Sequence, residues 1–261
     1  MKIKYLKISS FKNLQDFELD IDGNNNDILV TIGKNGTGKS NLLEALVLIF
    51  RDLIMVENKP PFSYHLKYNC RDRNIEVIAN PKSKVKYQFY VAGQLLKKRD
   101  NFWNKEVDEK ENEIYSYLPE HVFAYYSGIS NRLEEHFDKS QKKFYTDLKN
   151  GVDRPFRPLF YARPIHSNFV LLAFYAFEDK DISNFLERYL NITGFHSSLF
   201  VVPKPYWNSP EGDIRFWKAK GIVAQFLDKL FDKSLAPIKD EVEIRLDFRH
   251  SSKRECWYLF L

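Results

Sequence analysis

The chain has 261 residues, of which 44% are hydrophobic and 16% aromatic, so it can bury a sizeable core. Its formal net charge of +5 is mild for this length and by itself favours a solvated mixed-charge surface over a nucleic-acid partner. The two cysteines, the lack of an apolar run near the ~20 residues of a membrane span and the lack of a signal-like N-terminus argue against a disulfide-rich secreted protein or a membrane protein. We therefore expect a cytoplasmic protein with one large domain, or a core domain with an insertion.

Two β-strands are predicted at the N-terminus, where apolar and polar residues alternate. The first begins at residues 3–8 and the second covers residues 17–21, with a turn over 11–14.

A strand, a glycine-rich loop and a helix are predicted next. Residues 28–32 (ILVTI) form an apolar, β-branched run that predicts a buried strand. Residues 33–40 (GKNGTGKS) fit the phosphate-loop pattern G-x-x-x-x-G-K-[ST] at every fixed position. The apolar residues of 42–49 recur at spacings that predict a largely buried helix. Since the motif needs this context, the pattern favours nucleotide binding over an ordinary glycine-rich turn.

The residue types of this loop suit a triphosphate. Glycines leave room for the phosphates, and backbone N–H groups at a helix N-terminus attract anions. Lys39 is the expected charge on the β- and γ-phosphates, and the Ser40 hydroxyl is the expected Mg²⁺ ligand. The cofactors predicted are ATP and Mg²⁺, and no catalytic residue is identified. The predicted cofactor-binding residues are Gly33, Lys34, Asn35, Gly36, Thr37, Gly38, Lys39, Ser40 and Asn41.

The N-terminal segments KIKYLKISSFKNLQDFELDI and ILVTIGKNGTGKSNLLEAL resemble the N-terminal lobe of ABC-type ATPases related to RecF and the SMC proteins. Asn35, Asn41 and Glu44 match positions typical of that group that phosphate loops in general do not require. The resemblance implies Mg-dependent ATP hydrolysis and a homodimer in which ATP joins the two subunits head to head.

Three further strands are predicted at residues 62–68, 75–79 and 85–91. In the ABC-type ATPases an antiparallel β-subdomain occupies this place. Residues 93–118 are polar and predict an exposed connection with one short helix, in which the basic triplet 97–99 is more often a solvated loop than a DNA contact.

A strand at 122–126 and a helix from about residue 130 are predicted next. Relatives carry a glutamine at the end of this strand, whereas this chain has Ser127 or its neighbours there. Arg132 could reach a phosphate, but a surface ion pair is the more common role.

The C-terminal half gives weaker signals. Residues 169–177 are apolar all round and predict a buried helix, and the following Glu178 and Asp179 only imitate a metal-binding Walker B strand because their order is reversed. His166 is expected to be a hydrogen-bonded core histidine. The remaining predicted elements are a short helix from 182, strands at 199–202, 242–248 and 257–261, and a helix at 222–231.

The blocks YYSGISNRLEEHF, RPLFYARPIHSNFVLLAFYAF and FWKAKGIVAQFLDKLF resemble ATPases encoded beside bacterial restriction systems. That resemblance implies a role in anti-phage defence with DNA and a restriction or nuclease partner. Two alternatives stay open: a nucleotide-gated regulatory module that switches a partner nuclease, and the ATPase part of an OLD-type nuclease. A non-catalytic DNA-binding protein is disfavoured, since no basic stripe or helix-turn-helix is present.

The predicted fold class is α/β: a phosphate-loop NTPase resembling the N-terminal lobe of an ABC-type ATPase head, with an antiparallel β-subdomain and an inserted helical region. The predicted divisions are 1–128 for the lobe, 129–235 for the helical insertion, and 236–261 for strands that return to the core. A signature helix, a Walker B strand and a switch histidine are not recognisable in the sequence. We therefore expect a longer complete protein, with weak Mg-ATP binding and very slow hydrolysis by this chain alone.

Overall fold

The computed structural model describes residues 1–23, 26, 28–108, 113–128, 130–152, 157–176, 179–205, 211–235 and 237–247. The chain forms two compact units. Unit 1 comprises Met1–Gln141 and Arg157–Tyr161, and unit 2 comprises Lys142–Phe156 and Ala162–Leu261.

The strands are β1 Lys2–Phe11, β2 Leu14–Asp20, β3 Tyr64–Cys70, β4 Arg73–Ala79, β5 Tyr87–Val91, β6 Gln94–Leu95, β7 Lys105–Val107, β8 Glu113–Tyr115, β9 Val122–Tyr125, β10 Leu159–Ala162, β11 Leu199–Pro203, β12 Ile238–Lys239 and β13 Glu243–Asp247. The α-helices are α1 Lys39–Ile54, α2 Asp138–Lys149, α3 His166–Ala176, α4 Lys180–Leu190 and α5 Gly221–Lys233. Short 3₁₀ helices cover Arg99–Trp103, Glu134–Phe137 and Ile214–Phe216. None of the helices in the described part of the chain is long and apolar enough to cross a membrane.

Unit 1 is built on a six-stranded antiparallel sheet with the order β2-β1-β3-β4-β5-β6. Alternate residues of its strands are buried, as the period of two requires for a sheet with one covered face. The two N-terminal strands and the three strands predicted between residues 62 and 91 are confirmed by β1 to β5.

Helix α1 packs its apolar residues into the same core as the buried face of this sheet. The Phe50 ring meets Tyr68 of β3 edge-on at 5.7 Å, and the Trp103 indole N–H donates to the Leu53 carbonyl at 2.6 Å. The prediction of a largely buried helix after the phosphate loop is confirmed. This packing holds the first turn of α1, where the loop ends, at a defined place in unit 1.

The buried strand predicted at residues 28–32 is wrong for this structure. The segment is not a strand, and Ile28, Val30 and Ile32 are 78%, 72% and 93% exposed. A strand is stable only when neighbouring strands take up its backbone hydrogen bonds and cover its side chains. The sheet of unit 1 is antiparallel and does not include this segment. In the part of the chain that the structure describes, residues 28–32 therefore do not form the strand expected directly before the phosphate loop.

The prediction that residues 93–118 are an exposed connection is also wrong. Phe102 is fully buried and its ring stacks on Phe89 at 4.0 Å, while Leu118 is fully buried in the same core. The guanidinium of Arg71 donates to the carbonyls of Tyr115 and Leu118 at 2.7 and 2.8 Å. Long-range packing of a few apolar residues outweighs the polar composition of the segment.

Unit 2 contains a three-stranded antiparallel sheet in the order β11-β13-β12. Its core consists of Phe216, Leu227, Leu230, Ile244 and Leu246. The strands predicted at 199–202 and 242–248 and the helix at 222–231 correspond to β11, β13 and α5. The predicted domain limits, and the return of 236–261 to the phosphate-loop core, stay predictions, and the strand at 257–261 lies outside the described residues.

Helix α3 covers the apolar run predicted to be buried, but Phe169 and Val170 are 44% and 46% exposed. The helix contacts α4, and the ring centroids of Phe169 and Phe200 lie 6.1 Å apart. These contacts leave part of the helix surface exposed to solvent. Asp179 caps α4 by accepting hydrogen bonds from two backbone N–H groups, which agrees with rejecting it as a Walker B acid. Residues 177 and 178 of that run lie outside the described residues.

Candidate functional site

The N-terminus of α1 has the features of an anion-binding site. The helix begins with Gly38 as its N-cap residue, without a side-chain hydrogen bond to the cap and without an acidic residue in its first turn. The first backbone N–H groups of a helix have no partner within the helix, and the helix dipole adds partial positive charge there. A 16-residue helix with an uncapped start is therefore able to accept a negatively charged group at Lys39 and Ser40.

The backbone of the phosphate loop, residues 33–40, accepts hydrogen bonds from the lysine of the same loop. The Lys39 ammonium donates hydrogen bonds to the carbonyls of Gly33 at 2.5 Å and Lys34 at 2.7 Å. The Thr37 hydroxyl donates to the same Lys34 carbonyl at 2.9 Å. These bonds place the positive charge of Lys39 against the backbone of the loop.

Gly38 is a position of the loop at which the structure requires glycine. Its φ of +102° lies in the left-handed region that favours glycine. A Cβ added at this position would lie 2.9 Å from both Asn13 Oδ1 and Leu14 Cδ2. The position therefore excludes other residues both by its backbone conformation and by the close approach of the β1–β2 turn.

The β1–β2 turn contacts the loop through the side chain of Asn13. Its amide nitrogen donates to the Gly36 carbonyl at 2.8 Å, and its amide oxygen accepts a hydrogen bond from the Asn41 side chain at 2.5 Å. One exposed side chain thus connects the turn, the loop and the first turn of α1.

One turn of the helix further on, Glu44 is 3% exposed and is surrounded by positively charged groups. The Lys12 ammonium donates to both of its carboxylate oxygens at 2.5 and 2.6 Å. The Arg132 guanidinium donates at 2.5 and 3.1 Å and also binds the Asn41 side chain. A ring nitrogen of His136 lies 3.0 Å from the other oxygen. We call Lys12, Glu44, Arg132 and His136 the Glu44 cluster.

Burial by itself would raise the pKa of Glu44, but the hydrogen bonds from Lys12, Arg132 and His136 outweigh it and lower the pKa to about 2. Glu44 is therefore a carboxylate at neutral pH and a weak base. Its chemistry suits the fixing of α1 to its neighbours, since a general base must have a pKa nearer the working pH.

The structure brings several of the predicted residues together. Asn41 and Glu44 both contact Arg132, so the ion-pair interpretation of Arg132 describes the contacts that it makes. His166 accepts a hydrogen bond from the Arg163 backbone at 2.8 Å, which confirms a hydrogen-bonded histidine, but it is half-buried and not in the core as predicted. The assignment of residues 33–41 to nucleotide binding stays a prediction at this point.

Sequence analysis did not identify Lys12, Asn13 or His136 as part of the site. The sequence predicts a turn over residues 11–14, but nothing in the local pattern shows which loop that turn contacts. His136 and Arg132 lie 92 and 88 residues from Glu44 along the chain. Only the tertiary structure places them beside it.

No group of three or more His, Cys, Asp or Glu residues that could hold a metal ion occurs among the residues that the structure describes. A hydroxyl such as that of Ser40 is one ligand for Mg²⁺, which in nucleotide sites commonly keeps several waters and binds the phosphates themselves.

In a comparison with known protein families, a model described as an AAA ATPase domain matches residues 1–191. No curated protein sequence matches the chain. Two solved structures of the recombination mediator protein RecF in the RecFOR pathway are similar. The complex described as RecF-ATPrS is 15% identical over 79% of this chain and 60% of the RecF chain, with a TM-score of 0.29. The RecF-ATP complex is 17% identical over 98% and 80%, also with a TM-score of 0.29.

The chain thus spans 60% of the length of the first RecF structure. A TM-score of 0.29 is too low to support a fold assignment. The matched residues 1–191 of the family model include the whole phosphate loop and the Glu44 cluster, and this match shows the family of the chain.

Proposed function

Because this chain belongs to the AAA ATPase domain family, we propose that its phosphate loop binds the triphosphate of Mg-ATP. The observation that carries the proposal is the uncapped start of α1, which follows a glycine-rich loop containing two lysines and has no acidic residue in its first turn. Such a helix start stabilises a phosphate through its free N–H groups and its dipole.

Each residue of the loop has a definite role in this proposal. The backbone N–H groups from Asn35 to Lys39 would bind the phosphates, and Lys39 would exchange its bonds to the Gly33 and Lys34 carbonyls for phosphate oxygens. Ser40 would supply a hydroxyl ligand to Mg²⁺, which neutralises part of the triphosphate charge. The Asn41 side chain forms hydrogen bonds with Asn13 and Arg132 and thereby connects the first turn of α1 to both residues.

The experiment is a titration of the purified chain with a fluorescent ATP analogue and Mg²⁺, with Lys39→Ala beside it. Lys84→Ala is the matched control. Lys84 is an exposed lysine in the β4–β5 turn, so its substitution removes the same charge elsewhere in unit 1. We expect saturable binding in the wild type and in Lys84→Ala, and its loss in Lys39→Ala. Circular dichroism checks that all three chains are folded.

Two outcomes would contradict the proposal. A folded wild-type chain that does not bind the analogue would show that the loop is not a working site in this chain. A Lys39→Ala variant that binds as tightly as the wild type would show that the nucleotide binds elsewhere.

For the whole protein we propose ATP hydrolysis, a homodimer joined through ATP, and action with DNA and a nuclease partner in a bacterial restriction or anti-phage system. The resemblance of the N-terminal segments to RecF- and SMC-related ATPases, and of later blocks to restriction-associated ATPases, supports these proposals. Phosphate release with and without DNA tests the hydrolysis. Light scattering with and without ATP tests the dimer, and a mass that ATP leaves unchanged would contradict it.

A second candidate function is a nucleotide-gated module that binds ATP and switches a partner with little hydrolysis. The state of Glu44 favours it, because this carboxylate lies in α1 four residues after Ser40 but is held by Lys12, Arg132 and His136 and has a pKa of about 2. It is thus unsuited to activating water. Turnover by the full-length protein at ordinary ATPase rates would decide against this candidate.

A further inference from the structure

The side chain of Asn13 makes two contacts with the predicted nucleotide site. Its amide nitrogen binds the Gly36 carbonyl at 2.8 Å, and its amide oxygen binds the Asn41 side chain at 2.5 Å. We propose that Asn13 is a positioning residue, which sets the phosphate loop in its nucleotide-binding conformation before the nucleotide arrives. This inference rests on the proposed function, since it concerns the same loop.

The contact with Gly36 controls the direction of a peptide group. A trans peptide is planar, so its C=O and N–H point to opposite sides. When Asn13 holds the Gly36 carbonyl on the side of the β1–β2 turn, the N–H of Thr37 is directed to the other side of the loop, where it donates to the Lys34 carbonyl at 3.4 Å and would exchange that bond for a phosphate oxygen. Gly36 has a φ of +84° and little steric restriction, so without this contact the peptide could rotate.

The turn that carries Asn13 is itself fixed. The neighbouring Lys12 donates two hydrogen bonds to buried Glu44 of α1. The next residue, Leu14, is buried in the core of unit 1. Asn13 is therefore held on both sides along the chain, and its amide approaches the loop from a rigid base.

Preorganisation of this kind raises affinity because the binding site does not have to be ordered when the ligand binds. The Asn13 side chain is uncharged, so it does not attract the phosphates electrostatically. Its effect on binding would arise only through the conformation of the loop.

The side chain of Asn13 is exposed and buries no apolar surface, so Asn13→Ala leaves the core unchanged. Gln15→Ala is the matched control. Gln15 is an exposed amide in the same hairpin that donates to the Lys12 carbonyl at 2.9 Å, and its side chain makes no hydrogen bond to the described residues of the loop. Asn13→Gln is the conservative variant, because it keeps the amide donor and acceptor on a longer side chain.

Two quantities are measured for the wild type and the three variants. One is hydrogen exchange of the amides of residues 36–40 in the nucleotide-free chain, and the other is the affinity for the fluorescent ATP analogue with Mg²⁺. We expect Asn13→Ala to exchange these amides faster and to bind about tenfold more weakly, the effect of losing two hydrogen bonds. Gln15→Ala should match the wild type, and Asn13→Gln should recover part of the affinity.

The outcomes separate this inference from the proposed function. If Lys39→Ala loses binding while Asn13→Ala exchanges and binds like the wild type, the positioning role is overturned and the phosphate-loop site stands. Faster exchange with unchanged affinity, or an Asn13→Gln variant as weak as Asn13→Ala, would also overturn the role. If the folded wild type does not bind, the proposed function fails and the positioning role fails with it.

Discussion

The ammonium of Lys12 lies 2.5 and 2.6 Å from the two carboxylate oxygens of Glu44, although 32 residues separate them along the chain. Lys12 belongs to the turn between two strands and Glu44 to the helix that follows the phosphate loop. The pair, with Arg132 and His136, therefore connects three segments of unit 1 through one buried carboxylate.

Replacing Glu44 by Gln should lower the free energy of unfolding of unit 1 by about 2–4 kcal/mol at pH 7, because Lys12, Arg132 and His136 would lose their carboxylate partner. The loss in free energy of unfolding is measured in urea, with the hydrogen exchange of the α1 amides as the probe. Glu241→Gln, an exposed site, is the control. Equal stability of Glu44→Gln and the wild type would show that the cluster contributes nothing to the fold.

The contribution of Glu44 should also depend on pH. Its pKa is lowered from an ordinary value of 4.5 to about 2 in the folded chain, so the stabilisation is fully present above pH ~4.5. It is lost as the pH falls from ~4.5 toward ~2, since protonation is then more favourable in the unfolded chain. The stability difference between the wild type and Glu44→Gln should shrink over that interval. A difference that stays constant would contradict the lowered pKa.

Arg132→Met should destabilise unit 1 by about 1–3 kcal/mol, because it leaves a buried carboxylate with one charged partner fewer. The effect should change little with salt, since partly buried pairs are weakly screened. Arg188→Met on α4 removes a guanidinium that lies over the Tyr189 ring and serves as the control. A loss that disappeared in high salt would indicate an ordinary surface ion pair.

Gly38→Ala should cost more stability than Gly93→Ala, although both glycines have a positive φ, of 102° and 78°. The backbone strain alone costs roughly 1–2 kcal/mol at either site. A Cβ at Gly93 meets nothing within 4 Å, whereas one at Gly38 lies 2.9 Å from Asn13 Oδ1 and Leu14 Cδ2. Parallel thermal unfolding measures both variants. Equal losses would show that the β1–β2 turn does not press on the loop.

Tyr64→Phe should leave the stability unchanged or raise it slightly, because the Tyr64 hydroxyl is buried without a hydrogen-bond partner. Tyr68→Phe on the same strand is the matched comparison. The Tyr68 hydroxyl donates to the Tyr117 carbonyl at 2.7 Å, so its removal should cost about 1 kcal/mol. If Tyr64→Phe cost as much as Tyr68→Phe, the hydroxyl of Tyr64 would have a partner in solution, such as a bound water.

The amino-acid sequence by itself determined the strands β1 to β5 and the helix α1 of unit 1. Alternation identified β1 and β2, and β-rich segments divided by turns identified β3 to β5. The spacing of apolar residues identified α1, because this period is set by the geometry of a single segment. The pattern of residues 33–40 also predicted which helix N-terminus would be the candidate phosphate site. These features depend on neighbours in the sequence, so the sequence contains them directly.

The tertiary structure alone decided which of these segments meet. Residues 28–32 have the composition of a buried strand but are exposed, because burial depends on neighbouring strands and not on the segment. Glu44 became the centre of a charged cluster through Lys12, Arg132 and His136, which are 32, 88 and 92 residues away. The contact of Asn13 with Gly36 depends in the same way on how the β1–β2 turn packs against the loop, and local periodicity carries no information about such packing.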